Sequence, residues 1–377
     1  MPRFLALTSR GLLEPLAEEF QELGIKRPRV RPDGVEFESS WADLYRVHLH
    51  SQIASRVLLP VAEFQAYNEE DLYYGVLRKH DFTFYIAPSQ TLRVEAHTRD
   101  HHKLKDQRFV AMRVKDALVD QFRNKGGERP DVGDEATADL RVVVKIVGAK
   151  VAVAVDLTGQ PLSNRGYRRN VGVAPLRENV AAGLVRLAQW KAPRPLVDPF
   201  CGAGTILIEA ALSTVGRASM KQGRGYAFTR LRNFQPDVWS EVGKGLTRKA
   251  APSKPFLFGF DKDGAMVEKA IANARAAGVE NWIRFQQKDM KDLVPPSGEP
   301  GVIITNPPYG ERMETTPEVQ RLMADFAHTL KTGFVGWDAW ILSGDPEASA
   351  ALRLKSARKI PVWNGPIECR FLHYPLR

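Results

Sequence analysis

Hydrophobic spacing along the chain changes near residue 156, and the change separates two kinds of organisation. Before it, short patterns alternate. Residues 3–8 alternate weakly and predict a strand. Residues 11–23 follow with Leu12, Leu16, Phe20 and Leu23 at helical spacing and Gly24 as a C-cap. Residues 30–37, around Asp33 and Gly34, predict a hairpin, and 41–49 a helix with Trp41, Leu44, Tyr45 and Leu49 on one face. Together these form a small α+β unit, 1–54. A second unit, 55–157, has strands at 57–64 and 91–96, a helix at 106–122 with Phe109, Met112, Val119 and Phe122 apolar, and a closing hairpin of 140–147 and 150–157.

After residue 156 strands and helices alternate, which implies a parallel sheet with crossover helices. Helices are predicted at 179–189, 206–212, 264–277 and 316–330, and strands at 196–197, 256–260, 283–287, 302–304 and 337–342. This third unit, 158–377, is interrupted at about 214–250. There Arg217, Lys221, Arg224, Arg230 and Arg232 precede the first acid, Asp237, so a basic, partly exposed insertion is expected.

Candidate chemistry sits where these strands end. The run 302–304 stops at Asn306-Pro307-Pro308-Tyr309. Proline cannot donate to a ladder and holds its predecessor extended, so the loop is rigid. It can hold a flat base bearing an exocyclic amine: the Asn306 side-chain oxygen and the Pro307 carbonyl each accept an amino hydrogen, and Tyr309 stacks on the ring. The alternative is a structural loop with a packed tyrosine. Asp198-Pro199-Phe200-Cys201-Gly202-Ala203-Gly204-Thr205 lies between a strand and a helix. Glycines allow a tight turn and close ligand approach. The loop lacks the signature of a pyrophosphate grip or a P-loop, and a leading Asp repels phosphate but welcomes an ammonium group. That combination points to S-adenosylmethionine. Asp261, followed by Lys262, is placed to bind ribose hydroxyls. Asp289, followed by Met290, is placed to accept the adenine amine. Singly, each acid is more often a cap or a solvated charge.

The remaining composition narrows the partners. A net charge of +10 over 377 residues favours a polyanion. The basic stretch from Arg99 to Lys125, with Lys103, Lys105, Arg108, Arg113 and Lys115, is either an RNA-binding surface or a solvated helix face. His101 and His102 lack spaced carboxylates, so no metal is expected. Two cysteines are too few for a disulfide framework. No signal peptide or membrane span is evident, and a cytoplasmic protein with no membrane partner is expected.

At this point the chain resembles bacterial methyltransferases of the THUMP class, in particular the N-terminal module of the rRNA large-subunit guanine-N2 methyltransferases. The resemblance spans Ser9-Arg10-Gly11-Leu12, Ala111-Met112-Arg113-Val114-Lys115-Asp116-Ala117 and Asp156-Leu157-Thr158-Gly159. It continues through Arg165-Gly166-Tyr167-Arg168, Ala174-Pro175-Leu176-Arg177-Glu178-Asn179 and the Asp198 loop to Asn306-Pro307-Pro308-Tyr309-Gly310-Glu311-Arg312 and Asn364-Gly365-Pro366. It implies a ferredoxin-like start, a THUMP domain for RNA docking, and a Rossmann-like class I methyltransferase domain forming N2-methylguanosine in 23S rRNA, naked or in a pre-50S particle. By the same match, Pro175, Leu176 and Asn179 line the cofactor pocket, and Arg165, Tyr167 and Arg168 lie near RNA or cofactor. From residues alone, 165–169 is equally a solvated linker. The module making 7-methylguanosine that follows in relatives is not expected here. The alternatives are a tRNA guanine-N2 methyltransferase, an adenine-N6 DNA methyltransferase, and an RNA-binding protein on a degenerate methyltransferase fold. The sequence does not specify an oligomeric state.

Overall fold

The computed structural model describes residues 1–134, 137–168, 176–216, 225–244, 250, 252–296, 298–308 and 316–377. The first two segments contain β1 (Arg3–Leu7), α1 (Leu13–Glu22), β2 (Arg29–Arg31), β3 (Gly34–Glu38), α2 (Trp41–His50), β4 (Arg56–Gln65), α3 (Glu69–Lys79), β5 (Thr91–Arg99), α4 (Gln107–Asn124), β6 (Asp131–Val132), β7 (Leu140–Val147) and β8 (Lys150–Asp156). Among the described residues they build one sheet in the order β2-β3-β1-β4-β8-β7-β5-β6. The pattern change at residue 54 therefore falls within a continuous sheet, because β1 pairs with β4 and sets Leu5 opposite Leu58.

Local chemistry explains the helices. Ser40 caps α2 in a reciprocal box with Asp43, and Asp106 accepts the Arg108 and Phe109 amides at the start of α4. The α3 helix has no counterpart in the hydrophobic reading. Only Leu72 and Val76 are buried in it, too few to mark a face, and its Asn68 cap carries the signal instead.

The remaining segments contain α5 (Glu178–Leu187), β9 (Leu196–Asp198), α6 (Thr205–Val215), α7 (Pro236–Lys244), β10 (Leu257–Asp261), α8 (Gly264–Ala277), β11 (Ile283–Gln287), β12 (Val302–Thr305), α9 (Thr316–Gly333), β13 (Asp338–Ser343), α10 (Pro346–Ala351), β14 (Arg358–Asn364) and β15 (Ile367–Pro375). Their strands lie in the order β11-β10-β9-β12-β13-β15-β14, all in one direction except β15, which runs antiparallel to both its neighbours. Alternation places the two faces of each strand in different cores. Val302 and Ile304 join one apolar cluster, while Ile303 joins another with Val197, Phe326 and Ile341.

Where it is described, the insertion combines exposed residues such as Arg232 and Asp237 with a buried apolar part. Tyr226, Ala227, Phe228 and Leu231 are buried. Tyr45 of α2 meets the Phe228 ring at 4.8 Å and Trp239 at 5.6 Å, and its hydroxyl accepts the Gln235 amide at 3.1 Å. Aromatic burial thus fastens this segment to the first unit. Arg217, Lys221 and Arg224 lie outside the described residues.

Candidate active site at the carboxyl edge of the parallel strands

The chain builds β9, β10 and β11 outward, then returns to lay β12 on the other side of β9. The strand order reverses between β9 and β12, and ligands of open α/β sheets bind in the crevice beyond the carboxyl ends at such a point. Asp198 ends β9, and Asn306 follows β12 directly.

Asp198 is 1% exposed. Its Oδ1 accepts a 2.6 Å bond from Thr305 Oγ1 and a 3.2 Å bond from the Phe200 amide. Burial pushes the carboxyl up to about 7, aided by the Asp261 charge and opposed by these hydrogen bonds. Asp261 closes the loop from the neighbouring strand, since its Oδ2 accepts the Gly202 amide at 3.0 Å and its Oδ1 the Asp263 amide at 3.0 Å. Gly204 caps α6 at φ 80, and a Cβ there would lie 2.9 Å from Phe285 Cζ. The turn therefore excludes side chains on both conformational and steric grounds. Asn273 Nδ2 holds the Ala203 carbonyl at 3.0 Å.

On the other side of the crevice, the Asn306 Oδ1 atom is buried with no hydrogen-bond partner among the described residues. Pro307 is buried and Pro308 half-buried. An acceptor left without a donor in such a place is costly unless a ligand supplies one. Tyr309 and Pro175 lie outside the described residues, as do Gly310, Glu311 and Arg312.

The other expected cofactor residues fall into four groups. Leu176 is buried, and Arg168 ties it to the loop. The Arg168 guanidinium donates to the Leu176 carbonyl and, at 2.6 Å, to Thr205 Oγ1, with Glu178 3.6 Å away. Asp289 is half-buried and accepts the Lys291 amide at 3.0 Å, while Lys262 is exposed. Phe200 packs edge-on against Phe326 at 5.0 Å, and Met290 is buried beside α9, its Sδ 3.9 Å from Thr329 Oγ1. Asn179 is 1% exposed, with its amide nitrogen facing Ser9 Oγ and the Ile53 carbonyl and its oxygen unpartnered.

Two residues expected near RNA or cofactor are held inside the protein. Arg165 and Tyr167 are buried, so the stretch is not a solvated linker. Arg165 Nε grips both Glu209 oxygens at 2.9 and 3.0 Å, its Nη2 donates to the Gln52 carbonyl at 2.5 Å, and the Tyr167 hydroxyl donates to Glu209 Oε1 at 3.1 Å. Burial works to lower the Arg165 guanidinium, but the Glu209 charge outweighs it and holds Arg165 above its ordinary value. This network spends the arginine on joining α6 to the first unit. In α4, Arg113 lies over the Tyr73 ring at 4.5 Å and Lys115 pairs with Asp116 at 3.3 Å, so both are engaged within the protein. Lys103, Lys105 and Arg108 are exposed. His101 is buried, donating to the Ala66 carbonyl and accepting the Lys103 and Leu104 amides.

Sequence reasoning missed Thr305 and Glu209. The signal for each was a polar residue inside an otherwise apolar run: Thr305 at the end of Val302-Ile303-Ile304, and Glu209 within Ile206-Leu207-Ile208-Glu209-Ala210-Ala211.

Comparison with known proteins agrees with this geometry. Residues 3–58 match a family described as RlmL ferredoxin-like domain, 66–156 the THUMP domain, and 165–373 the RMKL-like methyltransferase domain. A curated relative from Aliivibrio salmonicida (strain LFI1238), named ribosomal RNA large subunit methyltransferase K/L, is 37% identical over 100% of this chain and 54% of its own length. The chain spans about half the length of the curated relatives it matches. Among solved structures, SMU.472, a putative methyltransferase complexed with SAH, is 26% identical with a TM-score of 0.86, covering 100% of this chain and 98% of its own. A predicted N6-adenine-specific DNA methylase from Listeria monocytogenes is 26% identical with a TM-score of 0.87, covering 100% and 96%. With the carboxylate-led glycine loop and the Asn306 loop facing each other across the switch point, and with more than half of its length matching, the chain belongs to the RMKL-like methyltransferase domain family.

Proposed function

We propose that this chain transfers a methyl group from S-adenosylmethionine to the N2 amine of a guanosine in 23S rRNA. The observation that carries the reading is the buried Asn306 Oδ1, without a partner among the described residues, across the switch point from Asp198. An exocyclic amine is a neutral donor of two hydrogens, and Asn306 and the Pro307 carbonyl are acceptors set one residue apart on rigid backbone. Holding both hydrogens draws the nitrogen toward tetrahedral geometry and aims its lone pair, so positioning supplies much of the rate.

The residues present fit the cofactor. A buried carboxylate with a raised pKa gains from an ammonium partner, and Asp198 is such a group. Asp261 and Asp289 offer oxygens for ribose hydroxyls and an adenine amine, and Gly202, Gly204 and Thr205 allow close approach. When bound, S-adenosylmethionine supplies an electrophilic methyl group on a sulfonium. The chain's own part is to orient the amine and keep water out.

The rRNA substrate is favoured by the named relative and by the THUMP match, with Lys103, Lys105 and Arg108 exposed on that domain. No helix among the described residues is long and apolar enough to cross a membrane. The test is transfer from labelled S-adenosylmethionine to unmodified 23S rRNA, pre-50S particles, tRNA and duplex DNA, followed by digestion to nucleosides. N2-methylguanosine from 23S rRNA or the particle is the expected product. The same nucleoside from tRNA alone would overturn the substrate, and N6-methyladenine would overturn the base.

A further inference from the structure

Three segments converge on a second cleft of about 600 Å³, whose lining includes Asn179, one of the expected cofactor residues. The chain after β1 contributes Ser9 and Arg10, the start of α5 contributes Arg177 and Asn179, and Trp363 leads into the β14–β15 turn. Backbone bonds hold these walls together: the Trp363 amide donates to the Arg10 carbonyl at 3.0 Å, and the Arg177 amide to Asn364 Oδ1 at 3.1 Å. Among the described residues, no carboxylate lines the cleft. Arg10 and Arg177 are exposed, and neither guanidinium has an acidic partner among the described residues. Arg56 also reaches the cleft but is committed to Asp156 at 2.5 Å.

Strand register fixes which way this cleft faces. Thr305 lies opposite Ile341 in the parallel β12–β13 pair, and Ser343 opposite Arg370 in the antiparallel β13–β15 pair. The turn before β15 therefore projects from the carboxyl edge, the edge that carries Asn306. Two unpaired guanidiniums without a competing acid make an anion site, and their fork geometry suits phosphate oxygens.

We propose that Arg10 and Arg177 grip a backbone phosphate of the RNA strand that presents the target nucleotide. This rests on the RNA-methylation reading above and adds a contact beyond the amine pocket. The cleft fixes the strand while Asn306 receives the base.

The test uses the full 377-residue chain, as wild type and as Arg10→Glu/Arg177→Glu, with an unmodified 23S rRNA fragment. The reversal is expected to raise KM for RNA about tenfold and to flatten the slope of log Kd against log salt by about 0.7 per lost phosphate contact. Cofactor affinity, read by calorimetry, is expected to stay within about twofold, since these side chains lie outside the Asp198 loop. RNA affinity and salt slope equal to wild type would overturn the proposal while leaving the methyltransferase reading intact. Should the reversal also abolish cofactor binding, Arg10→Ala/Arg177→Ala decides: a flattened slope with normal cofactor affinity supports the grip, and an unchanged slope overturns it. Wild type that methylates and binds no RNA would overturn both readings, and that result is visible without any variant.

Discussion

Thr305 Oγ1 and Asp198 Oδ1 stand 2.6 Å apart in a hydrogen bond that crosses from β12 to β9, both side chains buried. The residue after Thr305 is Asn306, so one bond couples the position of the glycine loop to that of the amine-binding loop. Thr305→Val keeps the shape and removes the donor, leaving the carboxylate short of a partner. It is expected to cost about 1–3 kcal/mol in denaturant unfolding, and Thr305→Ser is expected to restore most of it. Equal stability of the valine variant would show that the bond does not position the loop.

Asp198 also sets a pH dependence whose sign can be worked out. Its folded pKa is about 7, against an ordinary 3.8, because burial disfavours the charge. The folded state therefore holds this proton more tightly, and its stability falls as pH rises between these values. Ionisation in the same window creates the anion that a cofactor ammonium prefers. Cofactor affinity is expected to rise about tenfold from pH 6 to pH 8. Asp198→Asn keeps an acceptor for Thr305 and the Phe200 amide. It should abolish that dependence, weaken cofactor binding, and raise the thermal midpoint of the cofactor-free protein by a few degrees at pH 8 but not at pH 4. A pH-independent affinity in wild type would remove Asp198 from the cofactor site.

The Arg165–Glu209 pair is buried on both sides. Arg165→Met removes the cation and leaves the Glu209 carboxylate buried with only the neutral donors Tyr167 and Gln52, an expected loss of about 3–5 kcal/mol in urea unfolding. A variant with wild-type stability and weakened RNA binding would return Arg165 to the RNA-contact role.

Asn306→Ala is expected to reduce kcat by about a thousandfold or more while RNA and cofactor affinities change by less than about threefold. Single-turnover methyl transfer separates the two. Parallel loss of RNA binding and turnover would make Asn306 a structural residue.

The sequence carried the parallel sheet and its two loops because both are local. A strand that ends in Asn306-Pro307-Pro308, or in Asp198 followed by glycines, advertises itself within a few residues. The Thr305 bond was not legible, since its acceptor lies 107 positions away. Arg165 and Tyr167 show why composition misleads: taken alone, the basic cluster reads equally as a solvated linker, yet Glu209, 44 positions from Arg165, draws Arg165 and Tyr167 inside. The insertion followed the same course, with its arginines conspicuous and its buried Tyr226 and Phe228 less so. The β14–β15 hairpin was signalled by Asn364 and Gly365, the latter at φ 66, but its strands break the βα alternation and so lay outside the pattern being followed.

The contact between Arg10 and Trp363 bears on solubility. β14 is the last strand of its sheet, and a strand without an outer neighbour is a template for pairing with other molecules. Pro361 withholds one donor there. Gly11 lies so close that a Cβ would sit 2.1 Å from the Pro361 carbonyl oxygen, and the Arg10 carbonyl takes up the Trp363 amide. Arg10 and Gly11 thus cover part of an adhesive edge. Gly11→Val, which forces a side chain against the Pro361 carbonyl and pushes the cover off this edge, should self-associate in a concentration-dependent manner by light scattering.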